Sequence, residues 1–589
     1  MTYQAPVDDI LFALKSAVGV ESLIESGIYE GLDEETLAAV LAEAGKFGAE
    51  VLDPLNGVGD KLGSTVKDGV VTTPPGWKAA YDQFVAGGWA ALPAPAEFGG
   101  QGLPNIVAMA TNEVWNSSNL SFGLGPLLTH GAIDALLVDG SEELKCIYLP
   151  KMSSGEWMGT MNLTEPHAGT DLGHIRTKAV PQADGTYKLS GTKIFITYGE
   201  HDLSSNIIHM VLARLPDAPA GTRGISLFLV PKFLVNKDGT LGARNDVLCA
   251  SLEHKLGIHA SPTCVMKYGE KDGAIGYLVG QEGRGLNTMF IMMNLARLAV
   301  GVQGVGLAER ATQRAVAYAR ERKQGRTASS KPGEMGPIIE HADIRRTILQ
   351  MRALTQAARA ICLVTAREHD IAHRAASEAE RKAAANKVAL LTPIAKAYST
   401  DIGVEVASLG LQVHGGMGFI EETGAAQYYR DARILPIYEG TNSVQAIDLV
   451  TRKLPLEGGK VMMAYLAEFE ETVKEVEASN QPAFGQMGKR LGETVKALKE
   501  TSMWMGKQLQ SNPEAAMAGA TPYLRLFGLA AGGHYLARGA LAAVRSGSTA
   551  EVPYIGLARF FAENITTAAP GLATSITSGA DAVLGVEVA

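Results

Sequence analysis

Cysteine is scarce in this chain. Only Cys146, Cys249, Cys264 and Cys362 occur in 589 residues, and no two form a CxxC pair. Neither a disulfide framework nor a zinc site is indicated. Basic charge is also short, with 53 Lys and Arg against 62 Asp and Glu for a net charge of −9. That balance argues against a nucleic-acid binder, which needs a basic face. No stretch reaches about 18 uninterrupted apolar residues, so no membrane span is expected. The beginning, "MTYQAPVDDILFALK", carries acids where a signal peptide needs a basic region, so a cytoplasmic location is expected. There is no Walker loop, no HExxH, no GxSxG elbow and no GxGxxG placed between a strand and a helix.

What is present is an ordinary globular balance, 46% hydrophobic and 20% charged. The length exceeds one core, and two to four domains are expected. Residues 1–157 read mostly helical. "DEETLAAVLAEAGKFGAEVL" (33–52) sets Leu37, Val40, Leu41, Ala44, Phe47, Gly48 and Val51 on one helical face, with Asp33 as N-cap. "LPAPAEFGGQGLP" (92–104) reads as a loop. From 158 to 282 the pattern is that of strands: "NIIHMVLARL", "GISLFLVP" and "TCVMKYGE" are short and rich in branched or aromatic residues. Within "GTYKLSGTKIFIT", turns are expected at Asp184-Gly185 and Ser190-Gly191. Residues 283–455 hold three long apolar-periodic stretches and "SVQAIDLVTRKL", which predict a four-helix bundle with Pro393 as a kink or boundary. Residues 456–589 open on the linker-like "PLEGGK" and continue as amphipathic helices, with Leu491, Val495, Leu498 and Met505 on one face. The expected fold is therefore mainly α with a central β domain. It runs as a helical domain (1–157), a β domain (158–282), a helical bundle (283–455) and an additional C-terminal helical domain (456–589).

Chemistry concentrates in four polar stretches. Alone, "MNLTEPHAGTDLG" (161–173) reads as a strand ending in a turn, and "SGTKIFITYGEHD" (190–202) as a hairpin strand. "QVHGGMGF" (412–419) reads as a helix C-cap. "RDARILPIYEGTNSVQAIDLV" (430–450) sets Glu439 after an apolar run and an aromatic, directly before Gly440. Alone, that acid reads at least equally as a cap on the next helix. Thr441 or Asn442 can cap the helix beginning near Ser443, and Asn442 with Gln445 has capping-box spacing.

Together these stretches resemble the acyl-CoA dehydrogenase family. "LTEPHAGTD" resembles its flavin-contacting loop, "KIFIT" its K-x-[WF]-IT strand, and "ARERKQGR" its R-K-x-F-G-x segment. "QVHGGMGF" resembles its glycine-rich turn, and "YYRDARILPIYEGTNSVQ" its R-D-A…EGT signature. Order and spacing agree over roughly residues 80–455, and the helix–β–helix order is also the family's.

The resemblance implies α,β-dehydrogenation of an acyl-CoA thioester: FAD takes a hydride from Cβ while a carboxylate removes a proton from Cα. It makes Glu439 that base. Burial beside Ile437 and Tyr438 should raise its pKa, and Gly440 should let the backbone turn away, with Tyr438 and Gly440 lining the substrate side. A minority of members carry the acid on a bundle helix, where this chain has Ala296. The resemblance places Leu163 and Thr164 at the flavin pyrimidine edge, Thr170 at the diphosphate, Phe195 over the isoalloxazine and Thr197 near N5. Arg322, Gln412, Gly415 and Gly416 should reach the FAD of a neighbouring subunit, Thr441 the diphosphate region, and Arg297 and Asn294 the CoA portion. "ERKQGR" lacks the aromatic that often follows the Arg-Lys pair, and Asn294 stands where many members have Asp. His414 reads as a packed loop histidine.

The first residues and the long C-terminal part resemble a large-subunit branch of the family. That implies a short substrate, 3-methylthiopropanoyl-CoA oxidised to 3-methylthioacryloyl-CoA in dimethylsulfoniopropionate catabolism, with Met292 and Met293 as soft walls. It further implies electron-transfer flavoprotein or a similar acceptor, a homo-oligomer, here a homodimer, and neither nucleic acid nor membrane as partner. The alternatives are a general short-, medium- or long-chain acyl-CoA dehydrogenase, an acyl-CoA oxidase, and a DNA-associated homologue.

Overall fold

The computed structural model describes residues 2–29 and 31–588. The helices used below are α1 (Val7–Ala13), α2 (Glu34–Phe47), α3 (Asn105–Ser118), α4 (Leu120–Asp139), α5 (Gly285–Glu321), α6 (Ala342–Arg374), α7 (Glu378–His414), α8 (Asn442–Asp448), α9 (Met487–Ser511), α10 (Ala520–Ser546) and α11 (Val552–Phe560). They divide between two units. One is Phe47–Ala108 with Ser118–Ala296; the other is the described part of Met1–Lys46, Met109–Ser117 and Arg297–Ala589.

The first unit is built on strands β1 (Thr65–Lys67), β2 (Val70–Thr72), β3 (Trp157–Asn162), β4 (Lys178–Pro181), β5 (Tyr187–Thr197), β6 (Asn206–Arg214), β7 (Ile225–Pro231), β8 (Phe233–Val235), β9 (Leu241–Arg244), β10 (Val247–Leu252), β11 (Thr263–Tyr268) and β12 (Ala274–Val279). Among the described residues the main sheet runs β10-β11-β5-β12-β7-β6-β3, with β4 pairing β5 and β6. Strands β3, β6 and β7 are buried almost throughout. Their mostly apolar, non-alternating sequences follow from that, since a strand covered on both faces has no solvent side to alternate with. Helix α4 covers one side, with Leu128, Ala132 and Leu136 in a core shared with Trp157, Ile208 and Leu227.

Two turns correct the sequence reading. Asp68 and Gly69 both have positive φ and close a hairpin between β1 and β2, inside the stretch read as helical. An Asp-Gly pair between two short strands favours that turn, and three-residue strands are too short for periodicity to reveal. Ser190-Gly191 is no turn. Gly191 lies within β5, where a Cβ would sit 2.5 Å from the Thr177 hydroxyl, so the glycine serves close approach. The Asp184-Gly185 turn between β4 and β5 is as expected.

In the second unit Asp33 caps α2, its carboxylate accepting from the Thr36 amide at 2.7 Å. Helix α7 continues through Pro393, so Pro393 is not a helix boundary. Helices α6 and α7 fold back on each other, and α5 presses onto α7 through small residues. A Cβ at Gly301 would stand 2.4 Å from the Ala395 carbonyl, and one at Gly304 2.3 Å from that of Ser399. Helices α4 and α5 are long and apolar enough to cross a membrane, but 78% and 72% of their apolar windows are buried within the protein.

The C-terminal part packs into the same unit. Gly528 of α10 lies against the buried Tyr398 ring of α7, and Gly532 against Ala357 of α6. Arg525 of α10 pairs with Glu405 at 2.8 Å. Phe12 of α1 stacks on Tyr554 of α11 at 3.7 Å, so the beginning and the C-terminal part meet. Leu491, Val495, Leu498 and Met505 of α9 are all buried, as the periodicity predicts. At the centre Arg359 of α6 joins Glu113 of α3 at 2.6 Å and Glu309 of α5 at 2.8 Å, each side chain largely shielded from water.

The fit of α10 predicts opposite outcomes for two glycines. A Cβ at Gly528 would lie 2.1 Å from Tyr398 Cδ2, whereas one at Gly556 of α11 meets nothing within 4 Å. Gly528→Ala should lose ~1–3 kcal/mol through overpacking. Gly556→Ala should gain ~0.5–1 kcal/mol through reduced backbone entropy. Urea unfolding of both variants checks this, and a stabilised Gly528→Ala would contradict the packing.

Candidate active site

The stretch around Glu439 adopts an unusual backbone. Glu439 has φ +57° and Gly440 φ +82°, two left-handed residues in succession. Gly440 takes that conformation freely; for a glutamate it costs of order 1–3 kcal/mol unless the surroundings enforce it. Here they do. The Glu439 carbonyl accepts from Gln445 Nε2 at 3.3 Å and from Arg297 Nε at 3.4 Å. The Gly440 carbonyl accepts from Lys396 Nζ at 2.9 Å and from Gln445 Nε2 at 3.5 Å. The Asn442 amide closes the loop onto the Pro436 carbonyl at 2.9 Å. Tyr438 is anchored through its hydroxyl, which donates to Gln303 of α5.

Thr441 is the N-cap of α8, its hydroxyl accepting from the Val444 amide at 3.3 Å. The capping box expected from Asn442 and Gln445 does not form. Gln445 turns instead to the two carbonyls of the left-handed step. Asn442 donates to the Ala397 carbonyl, to Thr400 and, at 2.7 Å, to Asp401. It also accepts from Lys396 at 2.8 Å.

Electrostatics distinguish the acid from its surroundings. Among the described residues the Glu439 carboxylate accepts no hydrogen bond from the chain. It keeps partial exposure, yet desolvation by the protein around it pushes its pKa above the usual carboxylate value, and Arg297 and Lys396 only partly oppose that. Burial lowers Lys396 to about 7, against the pull of Glu439 and Asp401. Asp401 is raised by burial, with Asn442, Arg525 and Lys396 opposing. A carboxylate with a raised pKa and free oxygens is suited to accept a proton.

The other unit carries a second group of residues from the sequence reading. Leu163 and Thr164 follow β3, Thr170 is exposed in the loop beyond, and Phe195 and Thr197 lie on β5. Pairing of β5 with β11 shifts register between Cys264 and Met266, opposite Lys193 and Ile196. Phe195 stands in that irregularity with φ +60° and 58% of its surface exposed. A bulge of this kind re-aims a side chain out of the sheet's alternation. The hydroxyls of Thr164, Thr170 and Thr197 have no partner within the chain among the described residues. An exposed aromatic face with three such hydroxyls is a donor set that fits the ring and polar edge of a flavin.

The loop is held by residues that sequence reasoning passed over. Lys193, fully buried, donates to the Leu163 carbonyl and to Glu165, both at 2.9 Å. Glu165 further accepts from the amides of Arg176 and Thr177 and from the Thr177 hydroxyl. Burial drives Lys193 down to about 8, with Glu165 opposing; burial also works against the Glu165 charge, but these donors hold its pKa below the usual value.

The remaining expected residues are spread along the helices. Asn294 is exposed and Arg297 half-buried on α5, and Arg322 is exposed just past its end. Gln412 near the end of α7, and Gly415 and Gly416 in the turn after it, are exposed too. In that turn Phe419 is 88% exposed, flanked by exposed Met417 and Ile420. His414 is no loop residue: it ends α7, bonds the Gly410 carbonyl at 2.7 Å and stacks on Tyr318. Met292 lies in the core of its unit against Gly131, which leaves only the partly buried Met293 as an adaptable wall. Lys396 and Asp401 were missed. The one available signal was a lone lysine inside the apolar run "VALLTPIAKAYS".

Comparison with known proteins gives a consistent picture. The chain matches the acyl-CoA dehydrogenase N-terminal domain over residues 34–156, the middle domain over 160–269 and the C-terminal domain over 283–454. Residues 465–587 match a domain described as acetyl-CoA dehydrogenase C-terminal like. It is 49% identical to 3-methylmercaptopropionyl-CoA dehydrogenase of Ruegeria pomeroyi over 96% of this chain and 95% of that one. It is 36% identical to a butyryl-CoA dehydrogenase of Syntrophomonas wolfei over 89% of this chain and 87% of the other. Its fold matches the crystal structure of a Bacillus anthracis acyl-CoA dehydrogenase complexed with FAD, with a TM-score of 0.74 at 21% identity, covering 95% and 90% of the two chains.

Proposed function

The chain belongs to the acyl-CoA dehydrogenase family, and from that premise we propose that Glu439 removes the Cα proton of a short acyl-CoA thioester. The chain is an oxidoreductase acting on CH–CH bonds, with FAD as cofactor. Bound FAD supplies the acceptor for the hydride that leaves Cβ as the double bond forms. The chain's own part is to hold a base, shield it and orient the thioester. The observation that carries this reading is the carboxylate of Glu439, unbonded and desolvated on a backbone step pinned at both carbonyls. A raised pKa strengthens the base, and the missing hydrogen bonds leave its lone pairs available. In the same reading Phe195, Thr197, Leu163, Thr164 and Thr170 hold FAD, Thr441 contributes toward its diphosphate, and Arg297, Asn294, Tyr438 and Gly440 face the acyl-CoA.

The preferred substrate in this reading is 3-methylthiopropanoyl-CoA, oxidised to 3-methylthioacryloyl-CoA. Support comes from the Ruegeria relative, whose name carries that activity. A thioether sulfur resembles a methylene in size and polarity, so four- and five-carbon acyl groups should also react. Discrimination by one methylene is worth only ~1–3 kcal/mol. We assign the 412–419 turn, with its exposed Phe419 and Met417, together with Arg322, to a contact in a homodimer that completes the partner's FAD site.

Three outcomes test these assignments. Glu439→Gln should retain flavin while its reduction by butanoyl-CoA slows by ~10²–10⁴-fold or more. In the wild type, 3-methylthiopropanoyl- and butanoyl-CoA should exceed palmitoyl-CoA in kcat/KM; the reverse order would remove the short-chain assignment. Arg322→Ala should lower FAD retention and make it depend on protein concentration, as gel filtration with absorbance detection would read. A monomer holding its full FAD would contradict the shared site.

A further inference from the structure

A lysine with its side chain wholly shielded from water is expensive to keep, and Lys396 is such a residue. It stands on α7 where that helix is tightest against α5, one residue beyond the Ala395 carbonyl that Gly301 approaches. Its ammonium has two recorded acceptors, the Gly440 carbonyl at 2.9 Å and Asn442 Oδ1 at 2.8 Å. Both belong to the residues that follow Glu439. Asn442 is fixed in turn by Ala397, Thr400 and Asp401 of the same helix. Lys396 therefore fastens the second peptide of the left-handed step to a continuously buried stretch of α7.

We infer that Lys396 is a positioning residue for the base, holding the Glu439–Gly440 step in its left-handed form and biasing the Glu439 carboxylate toward its ionised state. This rests on the reading of Glu439 as the base. The geometric half follows from the strain. A glutamate at φ +57° relaxes toward ordinary φ when its restraints weaken, and its carboxylate then moves. A misplacement of about 1 Å is enough to cost on the order of 10²-fold in rate. The electrostatic half follows from charge. The groups facing Glu439 are Lys396 from α7 and Arg297 from α5, with Tyr438 beside it. Asp401 faces Lys396 from its own helix, while Asp448 and Arg452 face Arg297. Removing Lys396 leaves Arg297 as the one cation acting on the carboxylate among the described residues, and the proton affinity of the carboxylate rises. The acid limb of the rate profile then moves to higher pH, since the base must be ionised to act.

A lysine that merely supported helix packing would behave differently: its loss would lower thermal stability and leave the rate profile of the folded fraction in place. The test is stopped-flow reduction of the FAD-loaded enzyme by butanoyl-CoA between pH 5.5 and 9, for wild type, Lys396→Met, Lys396→Arg and Lys396→Gln. Lys396→Met should lose about tenfold or more in limiting rate. Its acid limb should shift upward while KM changes little. Lys396→Arg, which keeps the charge, should keep the acid limb near the wild-type position. Lys396→Gln, which keeps a donor for the Gly440 carbonyl, should show the upward shift with a smaller loss of rate, and serves where the methionine variant does not fold. Wild-type limiting rates and acid limbs in the uncharged variants would overturn the inference. Glu439→Gln measured alongside separates the two levels. If it is inactive while the uncharged Lys396 variants are normal, only the role of Lys396 fails; if it is fully active, the reading of the base fails first.

Discussion

Two successive residues with positive φ, Glu439 and Gly440, are the constraint on which the rest of the site depends. Left to itself a glutamate avoids that conformation. It persists because both carbonyls of the step are held by side chains from three helices, Arg297 of α5, Lys396 of α7 and Gln445 of α8. The same arrangement settles the chemistry of the acid. The donors nearest the step are spent on backbone carbonyls, so the carboxylate is left without a partner in a desolvated setting. An acid used only to cap α8 would bond its amides, and that place is taken by Thr441.

Holding three helices to such tolerances requires close packing. Glycines at 301 and 304 bring α5 onto α7 at backbone contact, and Gly528 lets α10 close onto the Tyr398 ring. The buried Glu113–Arg359–Glu309 group ties α3, α6 and α5. Such buried charges add little net stability, but each punishes any arrangement that leaves it unpaired. The C-terminal part shares this core. Its α10 lies against the helix that carries Lys396, and its α11 meets α1 through the Phe12–Tyr554 stack. The part of the chain that exceeds the three acyl-CoA dehydrogenase domains thus packs directly against the helix that carries Lys396.

Much of this was legible in the sequence, for identifiable reasons. Strands β6 and β7 were legible because burial on both faces leaves short segments rich in branched and aromatic residues, and α9 because one face alone is buried. The β1–β2 hairpin was not, since three-residue strands carry no period. Ser190-Gly191 misled because a glycine needed for close approach looks in sequence like one needed for a turn. Family motifs drew attention to Glu439, Gly440 and the 161–173 loop, but the left-handed φ of Glu439 and of Phe195 was not legible, because sequence patterns mark such conformations chiefly by glycine or asparagine. Lys396, Lys193 and Asp401 were missed for a different reason. Their partners, the carbonyls of Leu163 and Gly440 and the side chains of Glu165 and Asn442, lie far along the chain, and such pairings follow from the tertiary fold alone.

The central claim is that Glu439 exchanges a proton with Cα, and this can be separated from hydride loss. Acetyl-CoA has an α-carbon and no β-carbon, so no hydride can leave. Incubating the FAD-loaded enzyme with acetyl-CoA in deuterated buffer and following the acetyl methyl signal by proton NMR measures proton removal alone. The account predicts enzyme-dependent exchange in the wild type and its loss in Glu439→Gln with FAD still bound. Exchange at the wild-type rate in Glu439→Gln would contradict it.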